Sequence, residues 1–494
     1  MDTDYYDVIL RNGSVIDGSG KPPFFADVAV NGDRIAMIGQ LESSNAALDI
    51  DVKGLIVAPG FLDVHTHDDM ALIAQPEMTP KLTQGVTTVI AGNCGISGAP
   101  YRDSGDPRGL LRLVFKSKEF VAPTLAGFLR KVDQSHPAVN SAFLTGHTTL
   151  RMAVMGEDLN RPATDEEAAC MRELLAESLS QGSLGLSVGL FYPPARPAPA
   201  KEIMEVAKPL RDYQGICTIH LRDEADGIME SLLEATEIGR AADVPIVVSH
   251  HKCMGRKNFG RSAQTLRFLH EQQRVQRVFL DAYPYTACST VLNEEMVASS
   301  EKTLITWCDP KPEYSARDLE EVVQSLGCTT AEALPQLQPA GAVYFMMDEA
   351  DVSGILRYPA TMIGSDGLPG DAHPHPRLWG TFPRVLGRYV REQKLFSLAE
   401  AIHKMTGLTA SNLGLRNRGI VEIGRFADLC IFDPDSIADA ATYEQPARAA
   451  VGIHHVLVNG KLALRDGMPT SIRAGRVLRR PDFADNQLGR NVQA

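Results

Sequence analysis

Ala58-Pro59-Gly60-Phe61-Leu62-Asp63-Val64-His65-Thr66-His67 decides how this chain is read. A Pro-Gly break leads into a short apolar run, and the run ends in two histidines spaced i, i+2. Side chains alternate faces along a strand, so both imidazoles point to one side. In a (β/α)₈ barrel that side is the interior, and active sites of this fold lie at the C-terminal rim of the strands. Taken alone, the pair could equally be a chance H-x-H on a surface loop. The surrounding sequence decides between the two.

Outward from this stretch the chain alternates apolar, β-branched runs with helix-like stretches, the pattern of a parallel sheet. Eight candidate strands follow: Gly60–Val64, Thr87–Ala91, Ser141–Leu144, Leu184–Val188, Ile216–Ile219, Pro245–Ser249, Val278–Ala282 and Ala360–Gly364. Helices are expected over Asp165–Gln181, Gly227–Ala241 and Ser262–Gln273. Eight such units make an α/β fold of the (β/α)₈ TIM-like type. From about Tyr285 to Asp351 the connection is too long for a plain crossover and reads as an inserted subdomain over the barrel mouth, with a helix at Ser315–Gln324.

Both ends of the chain read differently. Asp7–Leu10, Ala26–Val30, Arg34–Ile38 and Leu55–Ala58 are short strands, with hairpin signals at Asn12-Gly13 and Asn31-Gly32. Asp428–Phe432, His455–Val458 and Lys461–Arg465 are further strands, the last two joined at Asn459-Gly460. Two β-rich ends around a different middle predict one small β-sandwich built from both termini. The expected division is residues 1–58 and 415–480 for the sandwich, 59–414 for the barrel with its insertion at about 285–351, and a polar tail at 481–494.

The 494 residues exceed what one hydrophobic core usually serves, which agrees with that division. The apolar fraction of 44% and charged fraction of 22% are those of an ordinary globular enzyme. A net charge of −12 repels nucleic acid at long range, so no nucleic-acid partner is expected. The N-terminus lacks the basic and apolar regions of a secretory signal, and no apolar run reaches the roughly 18 residues of a membrane span. The eight cysteines are thinly spread with no C-x-x-C pair, which points to reduced thiols and a cytoplasmic location.

Metal-capable residues recur where the barrel would gather them. His220 follows Ile216–Ile219, His250 follows Val247-Val248-Ser249, Asp366 follows Ile363-Gly364-Ser365, and Cys94 stands just past the second strand. Any one of them could be a packed, hydrogen-bonded residue. Six such groups (His65, His67, Cys94, His220, His250 and Asp366) at the ends of five strands point to a metal site. Imidazoles, a thiolate and a carboxylate suit Zn²⁺, whereas magnesium and calcium would want more oxygens.

These residues carry a family resemblance. The run Pro59–His67, the turn Gly92-Asn93-Cys94-Gly95, and the stretches His220–Glu224, Ser249–Lys252 and Ser365–Gly367 resemble the amidohydrolase superfamily, and within it the D-aminoacylases (N-acyl-D-amino-acid deacylases). Many superfamily members bridge two metals with a carboxylated lysine on strand four, whereas D-aminoacylases use a cysteine on strand two. Leu184–Gly189 holds no lysine here. The resemblance covers nearly the whole chain. It implies one site from His65, His67 and Asp366 and a second from His220 and His250, served by Cys94. One zinc would be tight and a second weak or optional.

The resemblance further implies hydrolysis of the amide of N-acyl-D-amino acids by metal-activated water, with Asp366 as general base and acid or as a ligand alone. The substrate carboxylate needs donors, and Lys252, Tyr283 and Arg377 resemble the family's carboxylate-binding residues. Leu190, Phe191, Tyr192, Ser289, Tyr344 and Met347 are candidate wall residues. Relatives acting on acidic D-amino acids place an arginine near the start of the insertion. Leu292-Asn293-Glu294-Glu295-Met296 has none, which weighs against an acidic side chain. His251 reads as a structural neighbour, and His373 and His375 read as loop residues shaping the rim. A cyclic-amide hydrolase of the dihydroorotase or hydantoinase kind, and a non-enzymatic scaffold, are the rival readings. The missing strand-four lysine opposes the first and the intact ligand set the second.

Overall fold

The computed structural model describes residues 5–480, so the expected tail at 481–494 lies outside the described residues. Eight parallel strands form the centre: Phe61–Asp63, Val86–Ala91, Asn140–Phe143, Gly185–Gly189, Ile216–His220, Ile246–Val248, Val278–Ala282 and Thr361–Ile363. The first three pair with one another. The last five also pair in order, and Thr145–Gly146, just beyond the third strand, joins the fourth. The ring closes between strands one and eight with few backbone links. Asp366 N donates to His65 O at 2.8 Å, Val64 N reaches Ile363 O at 3.5 Å, and Thr66 bridges Gly367.

Leu62, Ile90, Ala142, Ile216, Val247 and Met362 come from six different strands yet share one buried cluster with Val64, Leu413 and Leu415. Only the interior of a ring brings them together, so the barrel is filled by packed side chains. The outward residues of the same strands join the much larger cluster beneath the surrounding helices. The expected helices are present as Asp165–Ser180, Ile228–Ala242 and Ser262–Gln273. Asp165–Ser180 begins at a capping box, with the Thr164 side chain accepting from Glu167 N while Glu167 reaches back to the Thr164 backbone.

Between strands seven and eight stands a three-stranded antiparallel sheet, Ala287–Val291, Lys302–Cys308 and Ala340–Phe345, with Ala340–Phe345 in the middle. Its helix begins later than expected. Asp318 accepts from Glu320 N as the N-cap, so the helix spans Leu319–Leu326 and Ser315–Arg317 lie outside it.

Strands from both ends of the chain build one further sheet. Leu429–Phe432 pairs antiparallel with Ile56–Pro59, and Ile56-Val57 pairs with Ser14-Val15. The Arg34–Phe426 bridge folds the sheet's far edge back toward the C-terminal strands, enclosing a core of Val8, Leu10, Val28, Val57, Leu429 and Leu457. Asn459-Gly460 turns the hairpin between Val458 and Lys461. Asn12-Gly13 does not turn the chain. Tyr5–Val15 runs on through it as one strand, with a bulge between Leu10 and Gly13 and Asn12 at φ 60°. An Asn-Gly pair meets the demand for a left-handed residue in a bulge as well as in a hairpin, so the local signal did not separate them. The strand Asn45–Asp51, parallel to Tyr5–Arg11, was not foreseen. Among the described residues no helix is long and apolar enough to cross a membrane.

Candidate metal centre

Four donor atoms from His65, Cys94, His250 and Asp366 lie within 4.8 Å of one another at the barrel mouth, all buried. His65 Nε2 is 3.3 Å from Cys94 Sγ and 3.6 Å from Asp366 Oδ1, and Cys94 Sγ is 3.4 Å from His250 Nε2. His67 joins through Asp366, with Nε2 at 3.2 Å from Oδ1. His220 joins through His250, whose ring centroid is 4.4 Å away, and a second group of possible donors forms from His220, Glu224 and His250. All six residues singled out by position in the sequence therefore converge.

The backbone is unusual where it delivers them. Cys94, His250 and Asp366 have φ of 53°, 34° and 50°, in the left-handed region that non-glycine residues rarely occupy. Such conformations persist when the surroundings over-determine them, and they gather at functional sites. The Cys94 turn shows how. Gly92, at φ 81°, comes so close to the third strand that a Cβ would lie 2.3 Å from Leu144 O. Ser187, on the fourth strand, donates to Gly92 O at 2.5 Å and accepts from Gly95 N at 3.0 Å. A Cβ on Gly189 would lie 2.2 Å from Cys94 O. The fourth strand thus braces the cysteine turn instead of sending a ligand of its own. Nothing local in the sequence marks Ser187 for this.

The donors are electrostatically prepared. Burial opposes ionising Cys94, but the facing His65 and His250 imidazoles outweigh it and hold the thiol well below its ordinary range. Burial likewise disfavours charge on Asp366, yet Arg377 and the imidazoles hold its carboxyl well below the usual carboxylate range. A thiolate and a carboxylate among imidazoles are the donor set of zinc. Some of these buried imidazole nitrogens have no hydrogen-bond partner, both of those of His220 among them. Buried polar atoms are seldom left so, and a cation accounts for those facing the cluster. The residues present fit the metal.

Two carboxylates behind the cluster escaped sequence reading. Asp281 Oδ1 accepts from His250 N at 2.9 Å and lies 3.4 Å from His65 Nδ1. Glu224 Oε1 lies 3.2 Å from His250 Nδ1. Carboxylates behind ligating histidines fix ring orientation and tautomer. Their only sequence signal is an acid on, or four residues beyond, a strand that ends at the rim.

Arg377, Tyr283 and Ser289 come together beside Asp366. Arg377 Nη1 is 2.9 Å from Asp366 Oδ2, its Nη2 donates to Ser289 O at 3.1 Å, and its guanidinium lies 4.7 Å from the centre of the Tyr283 ring. Arg377 Nε, Tyr283 Oη and Ser289 Oγ have no hydrogen-bond partner although all are buried. Lys252 lines the same cavity, with its ammonium drawn toward Glu224 and His250. Nζ lies 2.6 Å from Glu224 Oε1, 2.8 Å from His250 Nδ1 and 3.1 Å from His250 O. Two of its three donors are thus engaged within the protein, on Glu224 and the His250 carbonyl.

The wall residues divide. Phe191 stacks on His220 at 5.6 Å between centroids, and Tyr192 lies 5.0 Å from His220 with its hydroxyl 3.2 Å from Thr290 Oγ1. Both line the inner cavity, of about 20 Å³, along with Ser289. Leu190 is buried beside them. Tyr344 and Met347 do not line this inner cavity. The Tyr344 hydroxyl donates to Val291 O and accepts from Asn293 N, and Met347 faces a separate small cavity behind Tyr283. Phe191, Met254 and Met296 form the boundary between the inner cavity and an outer chamber of about 800 Å³. His251, His373 and His375 are spent on Thr265, Tyr443 O and Ala287 O respectively.

Comparison with known proteins agrees with this centre. The profile of the amidohydrolase family matches residues 50–243 and 316–463. A D-aminoacylase of Alcaligenes xylosoxydans xylosoxydans is 51% identical over 97% of this chain and 99% of its own length. A D-aminoacylase structure described as having a binuclear metal centre superimposes with a TM-score of 0.94 at 51% identity, covering 96% of this chain and all of that one. An N-acyl-D-glutamate deacylase from Bordetella bronchiseptica, solved with zinc and a phosphonate mimic of the tetrahedral intermediate, gives 0.92 at 41% identity, covering 96% of this chain and all of that one. On these matches the chain belongs to the amidohydrolase family, alongside the D-aminoacylases.

Proposed function

We propose that this protein hydrolyses the amide bond of N-acyl-D-amino acids, with zinc as its resident cation. The observation that carries the reading is the buried cluster of His65, Cys94, His250 and Asp366 beside a guanidinium with unspent donors. The full-length likeness to enzymes named for this reaction supports it.

In this reading Cys94, His220 and His250 hold the tight cation, and His65, His67 and Asp366 hold a second, weaker one. When bound, zinc lowers the pKa of water toward neutrality and polarises a scissile carbonyl. The chain's own groups do the rest. Asp366 is ionised and can accept the proton of the attacking water, then return it to the leaving amine. One water adds across the amide, giving a carboxylate and a free D-amino acid. Arg377, Tyr283 and Ser289 offer unspent donors to the substrate carboxylate. Glu224 and Asp281 keep the imidazoles oriented. The inner cavity is far smaller than a substrate, so binding must widen it at Phe191, Met254 and Met296.

Stereochemistry follows from holding two groups at once. With the carboxylate on Arg377 and the carbonyl at the cluster, exchanging D for L swaps hydrogen and side chain at Cα and drives the side chain into the wall. The test is a panel of N-acetyl-D- and N-acetyl-L-amino acids, assayed with metal analysis of the same sample. Faster turnover of D-substrates by zinc-loaded protein is the expected result. A preference for L-substrates rejects the D-aminoacylase reading and leaves the broader amidohydrolase one.

A further inference from the structure

Lys81 is an uncommon residue in its setting. It stands in the short helix Thr79–Leu82 outside the barrel, yet it is fully buried. Its Nζ lies 2.8 Å from Asp63 Oδ2, 3.2 Å from Asp68 Oδ2 and 3.0 Å from Ser365 Oγ. Asp63 and Asp68 are as buried as the lysine. Asp63 Oδ1 in turn accepts from Ser365 N at 2.7 Å. Three parts of the chain meet at one ammonium, and none of its partners is accounted for by the proposed chemistry.

Their positions give the arrangement meaning. Asp63 precedes His65 by two residues, Asp68 follows His67 directly, and Ser365 precedes Asp366 directly. The lysine therefore grips both ends of the His65-Thr66-His67 segment and the residue next to Asp366. It does so at the seam where strands one and eight close the barrel with few backbone links. Burying a cation with two carboxylates gains little stability over an apolar packing of the same volume, and breaking such a cluster on one side is costly. Geometry is what this cluster supplies.

We propose that Lys81 is a positioning residue that sets the distance between the His65/His67 pair and Asp366, and so tunes cation binding on that half of the centre. The inference rests on the metal reading above. Lys81 touches neither substrate nor cation, and it acts through Asp63, Asp68 and Ser365. The other half of the centre, at Cys94, His220 and His250, is hydrogen-bonded to none of these four groups, and it should keep its affinity when Lys81 is changed. Outer residues that orient ligands typically change metal affinity by roughly 10–100-fold when removed.

Two variants test this, Lys81→Met and the gentler Ser365→Ala, which keeps the lysine, both carboxylates and the Ser365 N–Asp63 bond but removes the hydroxyl that Lys81 donates to. Zinc is titrated into metal-stripped full-length protein by calorimetry, with thermal melting and steady-state kinetics on the same samples. Wild-type protein should show a tight and a weak class of zinc. In both variants the weak class should lose at least about tenfold in affinity while the tight class is unchanged, with kcat falling more than KM rises. If Lys81→Met does not fold, Ser365→Ala decides. A variant that melts lower but binds both classes like wild type overturns the proposal, since the lysine is then structural only. Equal loss in both classes also overturns it. Wild-type protein that binds no zinc overturns the metal reading itself, a result distinct from either.

Discussion

Arg377 Nη1 lies 2.9 Å from Asp366 Oδ2, and both side chains are buried at the mouth of the barrel. One guanidinium thus faces both the carboxylate assigned to proton transfer and the place assigned to the substrate carboxylate. It keeps Asp366 ionised in a setting where burial alone would protonate it.

The first prediction is on Asp366. Asp366→Asn keeps the shape but cannot accept a proton, and kcat should fall by a factor of at least about 10². Metal analysis of the variant separates loss of the proton acceptor from loss of a ligand. A modest change in kcat at unchanged zinc content would mean that another group takes the proton.

Arg377→Ala should separate two kinds of substrate. Losing a hydrogen bond to a charged group costs about 1.5–3 kcal/mol, or roughly 10–150-fold. On N-acetyl-D-amino acids kcat/KM should fall by at least that order. On substrates whose carboxylate is amidated the fall should be smaller and should reflect only the disturbance of Asp366. Equal losses on both would make Arg377 a partner of Asp366 and nothing more.

Cys94 carries the metal prediction. Its sulfur is 3.3 Å from His65 Nε2 and 3.4 Å from His250 Nε2. Cys94→Ala should lose the tight zinc and activity together, since it removes the thiolate. Chelation of wild-type protein should lower its Tm, and added zinc should restore it, because a ligand bound only to the folded state stabilises by mass action. Full zinc content and normal turnover in Cys94→Ala would refute the assignment.

Asp371 gives a pH dependence away from the ligands. Burial pushes its carboxyl up to about 7, against the pull of Thr306 and Lys116. A carboxyl raised above its unfolded value of 3.8 imposes no penalty below that value. The penalty grows as the unfolded chain ionises and is complete once pH passes about 7. Asp371→Asn should therefore stabilise the protein relative to wild type increasingly between pH 4 and pH 8, roughly, as read by melting temperature. A Tm difference that does not vary with pH would show that Asp371 ionises normally.

Much of the barrel could be read from pattern. Each of the eight strands lies within one or two residues of its expected place, because apolar β-branched runs between amphipathic helices report burial directly. The misreadings have one kind of cause. Asn12-Gly13 looks the same in a hairpin and in a bulge, and only pairing with Phe24–Asn31 and Asn45–Asp51 selects the bulge. The start of the helix at Leu319 was misplaced because several polar residues before it could each have served as cap, and Asp318 does.

By itself the sequence determined which residues end up at the C-terminal ends of the strands, and hence the kind of chemistry available, since residue type and strand period are local properties. Tertiary structure decided how those residues are used. Lys252, Tyr283 and Arg377 look interchangeable as donors in sequence. In the fold Lys252 donates to Glu224 and the His250 carbonyl, Arg377 donates to Ser289 O beside Asp366, and Tyr283 Oη and Arg377 Nε are left without a partner. Tyr344 and Met347 fall behind the cavity wall, and Ser187, Asp281, Glu224 and Lys81 emerge as the residues that hold the centre in shape. The reason is physical. A hydrogen bond or a buried charge is defined by what lies opposite it, and here the opposite partner comes from a distant part of the chain.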